Sequence, residues 1–329
     1  MKVKKEHIIL ALVIIALSVY LIMRTTDRAQ YLLPEVPPLA AKDISRLQIT
    51  RNTVETVITK QDEKWYIGPE KWLADESKIQ DMLKAIENLT LTALVSESRN
   101  YNLYDLDTEK KINVKARQGE TLKRDVDLGK TASSFRHTFV RTAGDERVYH
   151  ARGNFRNNFD VTVDDLRDKV VLSLNTAEIQ QIQLIKDQQS LTLNSTPVPV
   201  AVDGTSTDKK PQAAAESSQP MWQAADGRTV DEAVVKQILA AVANMRCEKY
   251  INDRQKTDFT SPLLTLQLKG AQEYSLSIFA KTAEEDTNYP AVSSGSDYPF
   301  LLSAGQADQI MKDPIKAPKA PEPSNKISK

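Results

Sequence analysis

The sequence predicts an α+β fold, in which an N-terminal transmembrane helix is followed by two repeated units of antiparallel sheet packed with amphipathic helices. Three observations predict it. Residues 8–23 are apolar and carry no charge, residues 65–95 return in altered form at residues 222–251, and the flanking stretches alternate apolar and polar residues as strands do. The repeat describes an architecture and reveals no reaction.

Residues 1–24 form the predicted cytoplasmic stub and membrane anchor. The uncharged run approaches the roughly 17–25 residues that span a bilayer, and Lys2, Lys4 and Lys5 favour a cytoplasmic N-terminus. A cleaved signal peptide is the alternative, but residues 21–24 offer no small-x-small cleavage site. We therefore expect a single-pass protein of the inner (cytoplasmic) membrane, with the bulk of the chain periplasmic or otherwise extracytoplasmic.

The repeated stretch contains one amphipathic helix in each copy. An ungapped alignment from Asp75 and Asp231 pairs apolar positions with the i, i+3, i+4, i+7 spacing of a buried helical stripe. The pairs are Ile79 with Val235, Met82 with Ile238, Leu83 with Leu239 and Ile86 with Val242. Trp65 and Trp222 precede the helices at matching positions, so we expect both to pack beneath them.

Composition and proline content set the remaining boundaries. We predict a spacer at 25–42, a first α+β repeat at 43–174 and a second repeat at 175–312. The second repeat contains an insertion at 194–220 that is rich in Pro, Ser, Ala and Thr, and the tail at 313–329 is rich in proline and lysine. Neither composition supports a packed core, so both are predicted to be disordered.

Charge and motif content argue against several function classes. Forty-four basic and forty-four acidic residues give zero formal charge, which disfavours nucleic-acid binding. One cysteine, Cys247, forms neither an internal disulfide nor a zinc site by itself. His137 and His150 fall on neighbouring predicted strands, where a structural role is favoured over metal binding. With no catalytic motif in view, we expect a protein that is not an enzyme and has no cofactor, no metal and no catalytic residues.

Two features are candidates for binding. Five arginines lie within two predicted strands and a loop and are a possible anion-binding face, although acidic residues interleave with them: Arg136, Arg141, Arg147, Arg152 and Arg156. Trp72 has no counterpart in the second repeat and precedes the first helix in a predicted loop. It is therefore a possible partner contact.

The chain resembles a bacterial family of unknown function, catalogued as 4340. The resemblance rests on the W-x-I strand, the helix pattern from Ala74, and the later motifs Leu128-Gly129-Lys130 and Leu166-Arg167-Asp168-Lys169. It is best over residues 43–174, and the family's Y-G-L-D-x-P turn is altered around Tyr101. The resemblance implies one N-terminal membrane anchor and a genetic association with gliding-motility-type ABC transporter subunits. It implies no catalytic residues.

We therefore expect a non-enzymatic, membrane-anchored accessory or scaffold protein that binds protein partners in an envelope or ABC-transporter-type complex. The alternative is a binding module for an anionic glycan or lipid headgroup, with the arginine-rich strands as its site. A hydrolase is a remote third expectation.

Overall fold

A computed structural model describes residues 5–26, 33–196, 221–283 and 285–316 of the protein. Within it the chain forms two compact units, residues 1–168 and 169–329. The sequence placed the boundary after residue 174. The strand at Val170–Ser173 pairs with one at Asn244–Arg246, so it belongs to the second unit.

The first unit contains one large antiparallel sheet. Its strands are β1 (Arg46–Arg51), β2 (Val54–Gln61), β3 (Lys64–Ile67), β4 (Trp72–Leu73), β5 (Leu91–Ser96), β6 (Ile112–Gln118), β7 (Thr121–Thr131), β8 (His137–Thr142) and β9 (Val148–Arg152). Its helices are α1 (Lys5–Thr26), α2 (Glu76–Glu87), α3 (Arg156–Phe159) and α4 (Val163–Leu166). The sheet order is β4-β3-β2-β1-β6-β7-β8-β9-β5.

The second unit contains the strands β10 (Val170–Ser173), β11 (Gln181–Lys186), β12 (Gln189–Thr196), β13 (Met221–Ala224), β14 (Asn244–Arg246), β15 (Lys249–Tyr250), β16 (Leu264–Lys269), β17 (Glu273–Ile278), β18 (Asn288–Ser293) and β19 (Phe300–Ser303). Its helices are α5 (Glu232–Ala243) and α6 (Ala304–Ile310). The main sheet has the order β13-β12-β11-β16-β17-β18-β19-β15, which repeats that of the first unit except for β4. The predicted α+β class with antiparallel sheets is confirmed.

Both repeat helices begin at an aspartate that caps them. Asp75 accepts hydrogen bonds from the backbone N–H groups of Ser77 and Lys78, and Asp231 accepts one from Ala233. The predicted stripe is buried in both helices, at Ile79, Met82, Leu83 and Ile86 and at Val235, Ile238, Leu239 and Val242. Trp65 and Trp222 are each 4% exposed, in keeping with the packing role expected of them.

Part of the predicted spacer packs on the first unit. Residues 27–32 lie outside the described residues, but Leu33 and Val36 contact the core and Leu39 is buried. The guanidinium of Arg124 donates to the carbonyl oxygen of Pro37 over 2.9 Å. The spacer prediction for 25–42 was therefore too long at its C-terminal end, because apolar residues between the prolines find a hydrophobic surface.

The predicted disordered segments lie mostly outside the described residues. The insertion at 194–220 begins inside β12, which continues to Thr196, and residues 197–220 are not described. The tail at 313–329 is described to residue 316. There Ile315 forms a β-bridge with Val230, and Asp231 N–H donates to the Pro314 carbonyl oxygen over 2.7 Å. Residues 313–316 therefore belong to the folded second unit.

The predicted anchor at residues 1–24 falls on α1. The apolar side chains described on this helix are exposed by 49–62%. Among the described residues, no helix combines the length and apolarity that a membrane crossing needs. The transmembrane assignment therefore stays a prediction.

Candidate functional site

The sheet of the first unit has one covered face and one polar face. Val114, Val126 and Val140 are fully buried on the side that belongs to the hydrophobic core with α2. Because successive side chains of a strand point to opposite faces, Asn113, Asp127 and Arg141 lie on the other side. Cross-strand pairing places Asn113 opposite Asp127, and Asp127 opposite Arg141.

Asp127 is the centre of a charged network on this polar face. Its side chain is only 9% exposed. Arg141 donates to Oδ2 through Nε at 3.1 Å and Nη2 at 2.6 Å, and Lys111 Nζ lies 3.2 Å from both carboxylate oxygens. Asn113 Nδ2 donates to Oδ1 over 3.0 Å. One carboxylate therefore binds two cations and an amide, which suits a buried charge.

The network extends to a second carboxylate and an aromatic ring. Asn113 Nδ2 also donates to Asp125 over 2.8 Å, and Lys115 Nζ lies 3.9 Å from Asp125. The guanidinium of Arg141 lies 4.6 Å from the centre of the Tyr101 ring. Burial disfavours the charge of Arg141, but its hydrogen bonds and ion pair with Asp127 outweigh burial and raise the pKa of the guanidinium.

An open groove of about 720 Å³ follows this polar face. Three cations and two carboxylates line its floor: Lys111, Lys115, Arg141, Asp125 and Asp127. Thr50 and Asn52 border it on one side, and residues 142–146 on the other. The groove thus presents closely spaced charges of both signs to solvent, which fits the binding of a polar or charged partner.

The second unit has no charged counterpart of this network among its described residues. Equivalent register positions hold Thr265, Gln267, Ser275, Ser277 and Val292. The Thr265 and Ser277 hydroxyls form a 3.1 Å hydrogen bond where the first unit has Asn113 and Asp127. The duplicated fold therefore carries the charged groove in one copy.

The structure does not gather the five predicted arginines into one anion site. Arg141 lies in the groove. Arg147 forms a bidentate pair with Asp145, at 3.0 Å and 2.8 Å, and Arg156 donates to the carbonyl oxygens of Leu128 and Lys110 at 3.0 Å and 2.6 Å. Arg136 and Arg152 are exposed, and neither forms an ion pair within the described part of the chain.

Arg147 and Asp145 form a small, partly buried network with Tyr149. Hydrogen bonds from Arg147 hold the pKa of Asp145 well below its usual range. Tyr149 is fully buried and donates its hydroxyl to Asp145 over 2.7 Å. Burial, and then this hydrogen bond, raise the pKa of Tyr149 to about 12. Arg147 is therefore engaged in holding the turn before β9.

Trp72 lies in β4 and not in a free loop. It is half-buried, and the guanidinium of Arg167 lies 4.6 Å from its ring centre. Arg167 itself is only 3% exposed. The ring that the sequence offered as a partner contact is thus packed against a buried cation inside the first unit.

His137 and His150 stack face to face, with ring centres 5.1 Å apart. Two tilted ring pairs extend this cluster: Phe139 lies 4.8 Å from His150, and Tyr104 lies 4.9 Å from Phe139, measured between ring centres. No group of three or more potential metal ligands occurs in the described ranges.

A comparison with family models identifies related sequences. The family model described as a domain of unknown function, DUF4340, matches residues 65–262, which is more than half of the chain. The chain belongs to the DUF4340 family. Searches of curated proteins and of solved structures found no match.

The DUF4340 match runs across both units and contains every charged residue on the groove floor. Sequence reasoning in this DUF4340 chain missed four of them, Lys111, Lys115, Asp125 and Asp127. In the sequence these residues alternate with apolar residues along two neighbouring predicted strands. Bringing them together requires the cross-strand register, which places Lys115 opposite Asp125 and Asn113 opposite Asp127.

One pH effect in this DUF4340 protein follows from the histidine stack. Burial, and then the charge of His137, lower the pKa of His150 from its ordinary value of 6.5. The unfolded chain then binds the proton more readily, so stability is lost as the pH falls below about 6.5. We expect His150→Leu, which copies Leu301 at the equivalent position, to flatten the slope of unfolding free energy between pH 7 and 5. Urea titrations at several pH values measure this, and an unchanged slope would contradict it.

Proposed function

We propose that this protein is a non-catalytic, membrane-anchored accessory or scaffold protein. Its N-terminus lies in the cytoplasm, its two α+β units lie outside it, and it binds a protein partner within an envelope or ABC-transporter-type complex. The proposal is supported by α1, by the segment that follows it, and by the different surfaces of the two units.

The observation that carries the anchor is the character of α1. Residues 8–23 contain no charge, and the described apolar side chains on this helix are exposed on all sides. As a helix, the 16 uncharged residues 8–23 would be about 24 Å long, which approaches the roughly 30 Å of a bilayer's hydrocarbon core. An apolar surface of this kind is favourable only inside an apolar environment.

The short connection to the first unit supports a position near the membrane. Leu33 already contacts the core, so seven peptide steps separate it from Thr26 at the end of α1. Even a fully extended chain of this length reaches only about 25 Å. The first unit is therefore tethered close to the end of the anchor.

A binding role is favoured over catalysis by how the groove's charges are used. Asp127 accepts from Lys111, Asn113 and Arg141, so its lone pairs are occupied by fixed partners. Such a network presents a rigid charged surface. Binding of an anionic glycan or lipid headgroup by the five arginines has less support, because Arg141, Arg147 and Arg156 are held by partners within the first unit.

The anchor is tested by extraction and by labelling. Membranes washed with alkaline carbonate are expected to retain the full chain and to release a variant with Ile14→Arg and Ile15→Arg, because each arginine costs about 2.5–3.5 kcal/mol at the centre of a membrane helix. The control replaces the same residues with leucine.

The topology is tested by labelling a thiol. Lys123→Cys places a thiol on an exposed strand position, whereas the native Cys247 is buried.

In cells whose outer membrane is permeabilised and whose inner membrane is intact, an impermeant maleimide is expected to label the Lys123→Cys variant. The native chain should stay unlabelled. Labelling only after lysis of the inner membrane would place the units in the cytoplasm. Release of the native chain by carbonate would remove the anchor from the proposal.

A further inference from the structure

The turn between β7 and β8 presents an exposed aromatic residue at its tip. Phe135 is 75% exposed and is the most exposed large apolar side chain among the described residues. The turn around it is well defined, because Phe135 N–H donates to the Ala132 carbonyl oxygen and Ala132 N–H donates to that of His137, each over 2.8 Å. An ordered turn therefore holds a phenylalanine in solvent.

The backbone at Phe135 is unfavourable for this residue. Its φ angle is +55°, close to the +53° of Asn52 and Asp105, but Phe135 is a bulky aromatic residue and those two are not. Glycine, asparagine and aspartate tolerate the left-handed region far better. Neither burial nor backbone preference accounts for phenylalanine at this position.

The surroundings of Phe135 are cationic. Lys130, Arg136 and Arg152 are exposed, and Gly153 N–H donates to the Arg136 carbonyl oxygen over 2.8 Å, which brings Arg152 beside the turn. Residues 128–139 and 148–156 contain no aspartate or glutamate. Two exposed arginines that form no ion pair among the described residues therefore flank the most exposed aromatic ring of the first unit.

The equivalent turn of the second unit has the opposite character. Residues 280–287, between β17 and β18, contain two glutamates and one aspartate and no aromatic residue. The feature therefore belongs to the first unit and is not a requirement of the duplicated fold.

We infer that Phe135, Arg136 and Arg152 form a docking surface for a protein partner that offers an apolar pocket with an acidic rim. This inference rests on the proposed function and names the contact surface of that accessory protein. Aromatic residues and arginine dominate binding energy at protein interfaces, and the net positive charge of the turn selects an acidic partner. The partner's pocket receives the Phe135 ring while its carboxylates pair with the two guanidinium groups.

The position of the turn favours a protein partner, and not the membrane that holds the anchor, as the occupant of this docking surface. Arg124, near the start of β7, binds the segment that leads from the anchor. Phe135 follows the other end of this 11-residue strand. At about 3.3 Å per residue, β7 extends roughly 35 Å, so the turn lies at the end of the sheet remote from that attachment.

The test is site-specific photo-crosslinking of the full chain in its native membrane. A p-benzoylphenylalanine residue replaces Phe135, and control probes replace Val54 and Leu122, which are 65% and 42% exposed. We expect one adduct from position 135, mapped by mass spectrometry to an acidic segment of another protein. Arg136→Glu with Arg152→Glu should reduce it about tenfold or more, as for residues at the centre of an interface, whereas Lys123→Glu should leave it unchanged.

Three results would overturn the inference: no adduct above the Val54 control, an adduct with lipid or with a second copy of this chain, or an adduct that the arginine substitutions leave intact. Carbonate extraction of the same membranes separates this inference from the anchor. If carbonate releases this chain but the adduct from position 135 still forms, the docking surface stands and the membrane anchor is disproved.

A second variant keeps the test independent of folding. Phe135→Asn carries no photo-crosslinker, so its readout is co-purification without crosslinking of the partner that the adduct identifies. We expect this co-purification to be lost while Tm stays the same or rises. A lowered Tm would mean that the ring packs within the first unit, and the inference would fail.

Discussion

Replacing Leu83 or Leu239 with alanine is expected to lower the free energy of unfolding by about 2–5 kcal/mol. Leu83 is 3% exposed and Leu239 is 8% exposed, and each lies on the buried stripe of its repeat helix. Removing Cγ and the two Cδ methyl groups leaves a cavity between helix and sheet that the surrounding side chains fill only in part. Urea unfolding of each variant against the native chain measures the loss.

The neighbouring helix positions supply matched controls. Lys84 and Ala240 follow the two leucines directly and are exposed. Lys84→Glu and Ala240→Lys should each change the unfolding free energy by no more than about 0.5 kcal/mol. A large effect at the controls in one unit, together with tolerance at its leucine, would mean that the two helices do not occupy equivalent places.

Replacing Asp127 with alanine is expected to lower the free energy of unfolding by about 3 kcal/mol. The substitution leaves Lys111 and Arg141 facing each other without the carboxylate that both bind, and breaking a buried ion pair is costly because the remaining charge loses its partner. The side chains of Lys111 and Arg141 are 28% and 23% exposed, so solvent screens them in part and the cost stays at the lower end of the range for buried pairs.

Ser277 provides the control for Asp127, because it holds the equivalent position in the second unit. Ser277→Ala removes one hydroxyl hydrogen bond with Thr265 and should cost about 1 kcal/mol. Thermal and urea unfolding at low and high salt compare the two variants. A cost for Asp127→Ala below that of Ser277→Ala would show that the network is worth no more than a surface salt bridge.

The repeat helices were predictable because their signal is local. Spacing of three and four residues fixes which side chains share a helix face, and Asp75 and Asp231 mark the first turn of each helix. The alternation of Ile112, Val114 and Ala116 likewise fixed the buried face of β6. These patterns hold whichever strands become neighbours.

The spacer shows where local composition misled. Three prolines within residues 25–42 predicted a solvated segment, but Leu39 is buried and Arg124 binds the Pro37 carbonyl oxygen. Arg124 is distant in sequence, and burial lowers the pKa of its guanidinium. A contact across 87 residues leaves no trace in the composition of either segment.

The duplication, the buried helix stripes and the α+β class could be predicted from the sequence, because each depends on short-range spacing. Which charged residues form ion pairs and which stay exposed depends on the tertiary fold. Arg141 meets Asp127 across two strands, Trp72 meets Arg167, and Arg136 and Arg152 remain exposed beside Phe135. These groups meet because of the strand register and of contacts between segments that are distant in sequence. Neither can be predicted from a residue and its immediate neighbours.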